Sequence, residues 1–248
     1  MPSPPPVVLT IAGFDPSSGA GITADIKTIA AHECYGVACI TALTVQSTRG
    51  VRSVQTVDPG LIGRTLEELA ADFNIQAVHI GMLATEGVAR GVADWLERAR
   101  LAHVVLDPIL KSSSGTDLVD AAGARVIIER LLPMAEVLTP NLEEATAIAG
   151  VELSAGAAAS AGIAGNGTVS LASSVDSMRE AARRIHALGA ANVVVTGGHL
   201  EKAVDLLSFA TERGIEQEVF KAERQKSTST HGTGCAFATA LACHLAHG

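Results

Sequence analysis

Two glycines separated by one threonine stand close to the start of a long apolar run near the end of the chain. The stretch STSTHGTGCAFATALACHL spans Ser227 to Leu245. The N-terminus of a helix presents backbone N–H groups and a partial positive charge, and glycines allow these groups to curve around an oxyanion. The stretch therefore predicts an anion hole, although a plain glycine turn into a helix explains the same letters. The residues concerned are Gly232, Thr233, Gly234 and Cys235, with Thr230 and His231 as additional donors.

Cys235 occupies the position where this turn enters the predicted helix. A helix N-terminus lowers the pKa of a thiol, so we expect a Cys235 thiolate that accepts a proton from a substrate hydroxyl. The alternative is a small buried apolar residue, the usual role of a free cysteine.

The first predicted strand leads into AGFDPSSGAGITAD, where glycines permit close approach of backbone to a ligand. Asp25 falls in the first turns of the following helix, so we expect it to face whatever this loop holds. The alternative is that Asp15 caps the helix and Asp25 is a solvated carboxylate at its start.

Polar side chains also follow other predicted strands. Gln46 ends an apolar run, and its amide has both a donor and an acceptor for a heteroaromatic edge. Asp107 precedes a proline, and Asn141 and Glu144 are three residues apart on one predicted helix. These three are hard oxygen ligands suited to Mg²⁺ held through water. Asn141 as N-cap and Glu144 as the capping-box glutamate is the alternative, and both roles are compatible.

These residues need a scaffold, and the chain alternates short apolar runs with longer Ala/Leu-rich helical patterns. Apolar strands, each followed by an amphipathic helix, predict a mostly parallel sheet covered on both faces, a three-layer α/β/α sandwich. The strands are predicted at Val7–Gly13, Ala38–Gln46, Ala77–Met82, His103–Ile109, Ala135–Pro140 and Asn192–Gly198, with AVDLLSFA and IEQEVFKAE as an antiparallel hairpin. The helices are predicted at Gly21–Glu33, Pro59–Phe73, Glu86–Arg100, Ala121–Leu131, Leu142–Ala149 and Val175–Leu188.

Composition limits the class of protein. The 248 residues, 48% of them hydrophobic, suffice for one α/β domain over the whole chain, in which the Gly/Ala/Ser-rich stretch Ser154–Ser174 predicts a flexible loop. A net charge of −8 without a basic cluster argues against nucleic acid as a partner. Without a CxxC pair, a leader pattern or an apolar run of roughly 20 residues, we expect a cytoplasmic protein that does not contact membranes.

Seven stretches, in their order along the chain, resemble the hydroxymethylpyrimidine/phosphomethylpyrimidine kinases of the ribokinase-like superfamily. They are GFDPSSGAGITADIKT, ITALTVQSTRGV, HIGML, LDPIL with SSSG, TPNLEEA, VTGGHL and STHGTGC. The resemblance covers nearly the whole chain. It implies an α/β/α sandwich with about nine strands, and a kinase of thiamine biosynthesis that uses MgATP to phosphorylate the pyrimidine alcohol and then its monophosphate.

The resemblance also implies roles for individual residues. The pyrimidine pocket would be lined by Gly13, Asp25, Gln46, Met82 and Ile109. The nucleotide would be bound by Asn141, Thr196, Gly198, Thr230 and His231, and Mg²⁺ by Asp107 and Glu144. Catalysis would fall to Cys235 and to the anion hole of Gly232, Thr233 and Gly234.

Some features depart from the family pattern. Thr196 stands where such kinases often carry a Lys before GGH, and Lys111 is the nearest substitute. The chain ends at Gly248, whereas relatives continue with further helices. The same motifs leave two rivals open: a pyridoxal kinase of the same fold, and a pyrimidine-binding sensor without turnover. The resemblance further implies a homodimer.

Overall fold

The computed structural model describes residues 4–111, 117–154, 171–197, 203–223, 225, 227 and 231–248, with the backbone alone at 151–154 and 171–174. The chain divides into two compact units. One comprises Met1–Thr139 and Ser227–Gly248, and the other comprises Pro140–Lys226. The prediction of one domain over the whole chain stays a prediction.

Seven α-helices are described. They are α1 (Gly21–Ala31), α2 (Pro59–Asp72), α3 (Glu86–Ala99), α4 (Ala121–Val126), α5 (Leu142–Ser154), α6 (Leu171–Ala187) and α7 (Thr233–His247). Helix α4 continues as a π-helical turn over Ile127–Leu131 and a 3₁₀ turn over Leu132–Met134. Side chains cap several helix starts, as Asp58 does by accepting a hydrogen bond from the N–H of Leu61.

The first unit contains six strands. They are β1 (Val7–Phe14), β2 (Tyr35–Ser47), β3 (Gly50–Thr56), β4 (Ile75–Ile80), β5 (Val104–Leu106) and β6 (Val137–Leu138). Their order is β3-β2-β1-β4-β5-β6, and every pair is parallel except the antiparallel β2–β3. Parallel strands of this kind place their carboxyl ends, and the loops that follow, at one edge of the sheet.

Helix α7 packs against β1, β4 and β5 beside α1. The core beneath it consists of apolar side chains from all these elements. Small residues such as Ala238 and Ala242, both fully buried, let the helix lie close to the strands. The start of α7 is thereby held near the carboxyl ends of the strands.

The second unit contains α5, α6 and the antiparallel strands β7 (Asn192–Thr196), β8 (Ala203–Thr211) and β9 (Gly214–Ala222), with β8 in the middle. The hairpin predicted from the sequence is confirmed as β8–β9. Strand β3 was not predicted; its residues are mostly exposed, so its sequence lacks an apolar run.

The helices extend into both ends of the stretch predicted as a flexible loop. Helix α5 reaches Ser154 and α6 begins at Leu171, so positions 171–174 are helical and the prediction of loop there is wrong. Leu and Ala favour helix intrinsically, which overrides the low-complexity composition at this end. Positions 155–170 lie outside the described residues.

Within the part of the chain that the structure describes, no helix is long and apolar enough to span a bilayer.

Candidate active site

The loop after β1 and the turn before α7 lie directly against each other, and glycines make this possible. Gly232 is the N-cap of α7 with φ +78°, and a Cβ there would overlap the carbonyl oxygen of Gly19. A Cβ on Gly19 would in turn overlap the ring of His231. Gly21 has φ +57°, and a Cβ there would overlap the carbonyl oxygen of Gly13. The glycine pattern thus packs two loops together at the end of β1.

A polar network joins these loops to β2. Nε2 of His231 lies 2.8 Å from Oδ2 of Asp15 and 3.3 Å from Nε2 of Gln46. The Asp15 carboxylate also accepts hydrogen bonds from Ser17 and from the N–H of Ala20. Burial raises the pKa of Asp15, but the hydrogen bonds from His231, Ser17 and Ala20 outweigh it and leave the pKa below its usual value. Asp15 is therefore an ionised acceptor and not a helix cap.

The N–H group at Nε2 of His231 has only one acceptor in this network. Carboxylate oxygens can only accept, so this hydrogen goes to Asp15. Gln46 then cannot use its NH₂ group on His231, because that nitrogen has no lone pair left for it. The hydroxyl of Thr44 lies 3.1 Å from Oε1 of Gln46 and 2.9 Å from the carbonyl oxygen of Phe14, so these two acceptors share its one hydrogen. In this arrangement the NH₂ group of Gln46 has hydrogen left to donate to a ligand.

The start of α7 matches the predicted anion hole in its backbone geometry. Its hydrogen-bond ladder opens with the N–H of Ala236 donating to the carbonyl of Gly232 at 3.0 Å, so the preceding N–H groups lie at the open end of the helix. Among the residues that the structure describes, no side chain caps this end. Thr233 and Gly234 are exposed, and a Cβ on Gly234 would meet nothing within 4 Å. The end of the helix is thus accessible to an anion.

The predicted pKa shift of Cys235 is wrong. Burial raises the pKa of this thiol strongly, and the negative charges of Asp107 and Asp25 raise it further. The backbone N–H of Gly21 only partly offsets them. The helix dipole alone would lower the pKa of this thiol, but desolvation raises the pKa by more. At neutral pH Cys235 is a neutral thiol.

A cluster of apolar side chains also lies near the end of β1. Met82 is buried with Ala42 and Ala84, and Ile109 packs against the same cluster. A Cβ on Gly13 would lie 3.0 Å from the sulfur of Met82. Three of the residues assigned to the pyrimidine pocket, Gly13, Met82 and Ile109, are therefore neighbours in the structure.

Asp25 lies beneath the loops and is completely buried. Its carboxylate accepts hydrogen bonds from Thr10 at 2.7 Å and Thr239 at 3.0 Å, and lies 3.4 Å from Nδ1 of His79. Its predicted contact with substrate stays a prediction, since protein donors already surround both oxygens. Thr10, His79 and Thr239 were not singled out from the sequence, where each lies inside an apolar run.

Asp107 follows β5 and is 6% exposed. Burial raises its pKa to about 6; the nearby His79 lowers it, Asp25 raises it, and a hydrogen bond from Thr139 lowers it. Asp107 thus ionises just below neutral pH. Lys111, the suggested substitute for the missing lysine, lies 3.6 Å from Asp117 in an exposed ion pair.

In the second unit, Asn141 and Glu144 form a reciprocal capping box. The N–H of Glu144 donates to Oδ1 of Asn141 at 2.9 Å, and the N–H of Asn141 donates to Oε2 of Glu144 at 3.0 Å. The capping alternative is therefore confirmed, and a role toward Mg²⁺ stays a prediction beside it. Thr196 ends β7, and its N–H donates to the carbonyl of Pro140 at 2.9 Å.

Gly198 and Thr230 lie outside the described residues. Among the side chains that are described, no three His, Cys, Asp or Glu residues are grouped so as to hold a metal ion.

The family model described as phosphomethylpyrimidine kinase matches residues 15–248. The hydroxymethylpyrimidine/phosphomethylpyrimidine kinase of Escherichia coli is 38% identical over 94% of this chain and 80% of its own length. A thiamine biosynthesis bifunctional protein of Geobacter sulfurreducens is 39% identical over the whole chain, which spans 46% of that relative.

Solved structures show the same likeness. The phosphomethylpyrimidine kinase of Clostridium difficile superimposes with a TM-score of 0.77 at 32% identity, over 98% of this chain and 91% of the other. The pyridoxal kinase of Bacillus subtilis, solved as an ADP complex, superimposes with a TM-score of 0.80 at 33% identity, over 98% and 84%. The α/β fold predicted from the sequence is thereby confirmed.

Proposed function

The chain belongs to the phosphomethylpyrimidine kinase family, and on that premise we propose that it transfers the γ-phosphoryl group of ATP to hydroxymethylpyrimidine and then to its monophosphate, in thiamine biosynthesis. One observation carries this proposal: an open helix start, a donor-bearing Gln46 and the Met82 cluster all surround the end of β1. The helix start supplies an anion hole, Gln46 supplies a hydrogen-bond donor for the substrate, and the Met82 cluster supplies an apolar surface.

Gln46 selects the pyrimidine. Its NH₂ group, which His231 cannot engage as an acceptor, donates to a ring nitrogen, and its carbonyl oxygen exchanges Thr44 for the exocyclic amine of the substrate. Met82 and Ile109 cover the apolar ring face. A polarizable thioether adapts to a flat heteroaromatic ring.

The start of α7 stabilises the transferred group. Phosphoryl transfer passes through a loose transition state, in which charge spreads over the phosphoryl oxygens and little covalent work falls to the protein. Backbone N–H groups of Gly232 to Cys235, together with the positive end of the helix, bind these oxygens. His231 belongs to the same turn and orients it through Asp15.

Asp107 and Glu144, both buried carboxylates, are the residues that would hold Mg²⁺ through water, and the ion would supply positive charge to the phosphates. Asn141, Thr196, Gly198 and Thr230 are the proposed nucleotide contacts, and ATP as donor follows from the family.

Cys235 borders the acceptor as a neutral thiol, not as a preformed base. In a loose transition state the acceptor hydroxyl loses its proton late, so a strong base is not needed at the start. The second acceptor, a phosphate oxygen, needs none. A thiol with a raised pKa is therefore compatible with the proposed place of Cys235 beside the acceptor.

Pyridoxal phosphorylation is the second candidate, because the pyridoxal kinase of Bacillus subtilis superimposes with a TM-score of 0.80, against 0.77 for the phosphomethylpyrimidine kinase of Clostridium difficile. A coupled assay of ADP release with hydroxymethylpyrimidine, its monophosphate and pyridoxal in parallel separates the two. We expect the highest kcat/KM with the two pyrimidines; a preference for pyridoxal would assign the chain to the second activity. A homodimer and a cytoplasmic location stay predictions.

A further inference from the structure

A closed polar cluster joins four elements of the first unit beneath the proposed site. Thr10 on β1, Asp25 on α1, His79 on β4 and Thr239 on α7 all have zero solvent exposure. Polar groups are placed in a core at a cost in free energy unless each finds a partner. Such a cluster is expected to specify how the elements that carry it fit together.

The hydrogens in this cluster can be assigned from its geometry. The hydroxyl of Thr10 donates to Oδ2 of Asp25, and that of Thr239 donates to Oδ1. Nδ1 of His79 lies 3.3 Å from the Thr10 oxygen, 3.2 Å from the Thr239 oxygen and 3.4 Å from Oδ2 of Asp25. Each hydroxyl already donates its only hydrogen to Asp25, and an ionised carboxylate can only accept hydrogen bonds. Nδ1 of His79 therefore carries a hydrogen and is the donor.

This arrangement ties helix α7 to the sheet. Thr239 lies seven residues after Gly232, so the cluster lies about 10 Å along the helix from the start of α7. The rest of α7 contacts the strands through small apolar side chains, which resist sliding less than directional hydrogen bonds do. The cluster is thus a buried polar connection between α7 and the sheet, and it acts beside the contact of His231 with Asp15 at the start of the helix and that of His247 with the carbonyl of His32 at its end.

The other ring nitrogen of His79, Nε2, also indicates a role beyond packing. Nε2 is buried and has no hydrogen-bond partner among the described residues. A Cβ on Gly81 would lie 3.6 Å from Cε1 of His79 and 3.6 Å from Ile109, so this edge of the ring lies directly behind the apolar pocket. A residue selected only to fill space would be apolar here.

We propose that His79 is a positioning residue: its Nδ1–H, which faces the oxygens of Thr239 and Thr10 and lies 3.4 Å from the Asp25 carboxylate, holds Thr239 in place and so sets where the Gly232–Cys235 turn lies. The benefit to catalysis rests on the proposed function, in which that turn binds the transferred phosphoryl group. A misplacement of about 1 Å in such a group can cost roughly 100-fold in rate.

The experiment compares matched variants of the full chain. His79→Leu removes the donor at similar volume, whereas His79→Asn places an amide N–H near the position of Nδ1. Thr239→Val removes one hydroxyl, and Thr239→Ser restores it. Thr28→Val is the control, because its hydroxyl donates only to the carbonyl of Ala24 within α1. Thr239→Val keeps the test decisive if His79→Leu does not fold.

Three quantities are measured for each variant: kcat and KM for hydroxymethylpyrimidine, the melting temperature, and amide hydrogen exchange of residues 236–238, the first amides in the hydrogen-bond ladder of α7. We expect Thr239→Val and His79→Leu to lower kcat about 10- to 100-fold with pyrimidine KM changed less than about threefold. Exchange should accelerate at residues 236–238 relative to β1 and α3. His79→Asn and Thr239→Ser should recover most of kcat, and Thr28→Val should match the wild type.

Unchanged kcat and unchanged relative exchange at residues 236–238, together with a lower melting temperature, would show that the cluster only packs the core and would overturn the proposal. A wild-type chain without kinase activity would overturn the proposed function instead. In that case the exchange comparison still decides whether His79 positions the turn, since it needs no substrate.

Discussion

Alanine substitutions of two glycines at the start of α7 separate the structural role of this turn from its chemical role. Gly232 has φ +78°, and a Cβ there overlaps the backbone carbonyl of Gly19. Gly234 lies two residues further on, in the first turn of α7, and a Cβ there meets nothing within 4 Å. The two substitutions therefore add the same methyl group, once against packed backbone and once in open space.

The magnitudes follow from these environments. A left-handed backbone costs an alanine roughly 1–2 kcal/mol, and forcing a methyl group into packed backbone costs about 1–3 kcal/mol more. Gly232→Ala should therefore destabilise the protein by roughly 2–5 kcal/mol, which lowers the melting temperature by about 4–20 °C at this chain length. Gly234→Ala should leave stability unchanged or raise it by up to about 1 kcal/mol, because alanine favours helix.

Turnover should respond differently from stability. The Cβ of Gly234→Ala projects from the open end of the helix, where the transferred phosphoryl group is proposed to bind. We expect turnover to fall at least tenfold, with pyrimidine binding in the absence of ATP preserved. Calorimetric melting and the ADP-release assay measure the two effects. If Gly234→Ala has wild-type turnover, or if Gly232→Ala has wild-type stability, our interpretation of this turn is refuted.

Three further substitutions test individual assignments. Gln46→Leu leaves substrate polar groups unpaired and should weaken hydroxymethylpyrimidine binding by about 1–3 kcal/mol, measured by titration calorimetry; unchanged affinity removes Gln46 from the pocket. The raised pKa of Cys235 means that its thiol stays protonated at pH 6–9, so the pH profile of kcat should show no thiol inflection there. Cys235→Ser should then lose much less than the 10²–10⁴-fold typical of a missing base, and a loss in that range would restore the thiolate mechanism. Glu144→Gln keeps an oxygen for the capping box but removes the charge, so it should raise the Mg²⁺ concentration needed for half-maximal rate at unchanged melting temperature; an unchanged Mg²⁺ titration leaves Glu144 as a cap alone.

Local patterns predicted the parts of the structure that depend on neighbours in sequence. Apolar runs and helical periodicity located the strands and helices, and Asn141 with Glu144 gave the capping box. The glycine turn was located correctly at the start of α7. Its glycines were assigned to ligand approach, whereas Gly232 is required by the contact with Gly19, which lies more than 200 residues away.

Properties that depend on burial and on distant partners could not be predicted in the same way. The pKa of Cys235 is set by desolvation and by two carboxylates that only the fold brings near it. The place of Asp25 in the chain predicts that it faces a ligand, and it gives no sign of the partners Thr10, His79 and Thr239, which lie 15, 54 and 214 residues from it. No periodicity within one segment reports such contacts.

The central claim is that this chain phosphorylates a pyrimidine twice. The most direct measurement incubates the purified full chain with MgATP and hydroxymethylpyrimidine and follows ³¹P NMR with time. We predict a monophosphate signal that rises and then gives way to a diphosphate, with ADP released in each step. ATP that stays intact, or phosphate transferred to pyridoxal but to neither pyrimidine, would contradict the account.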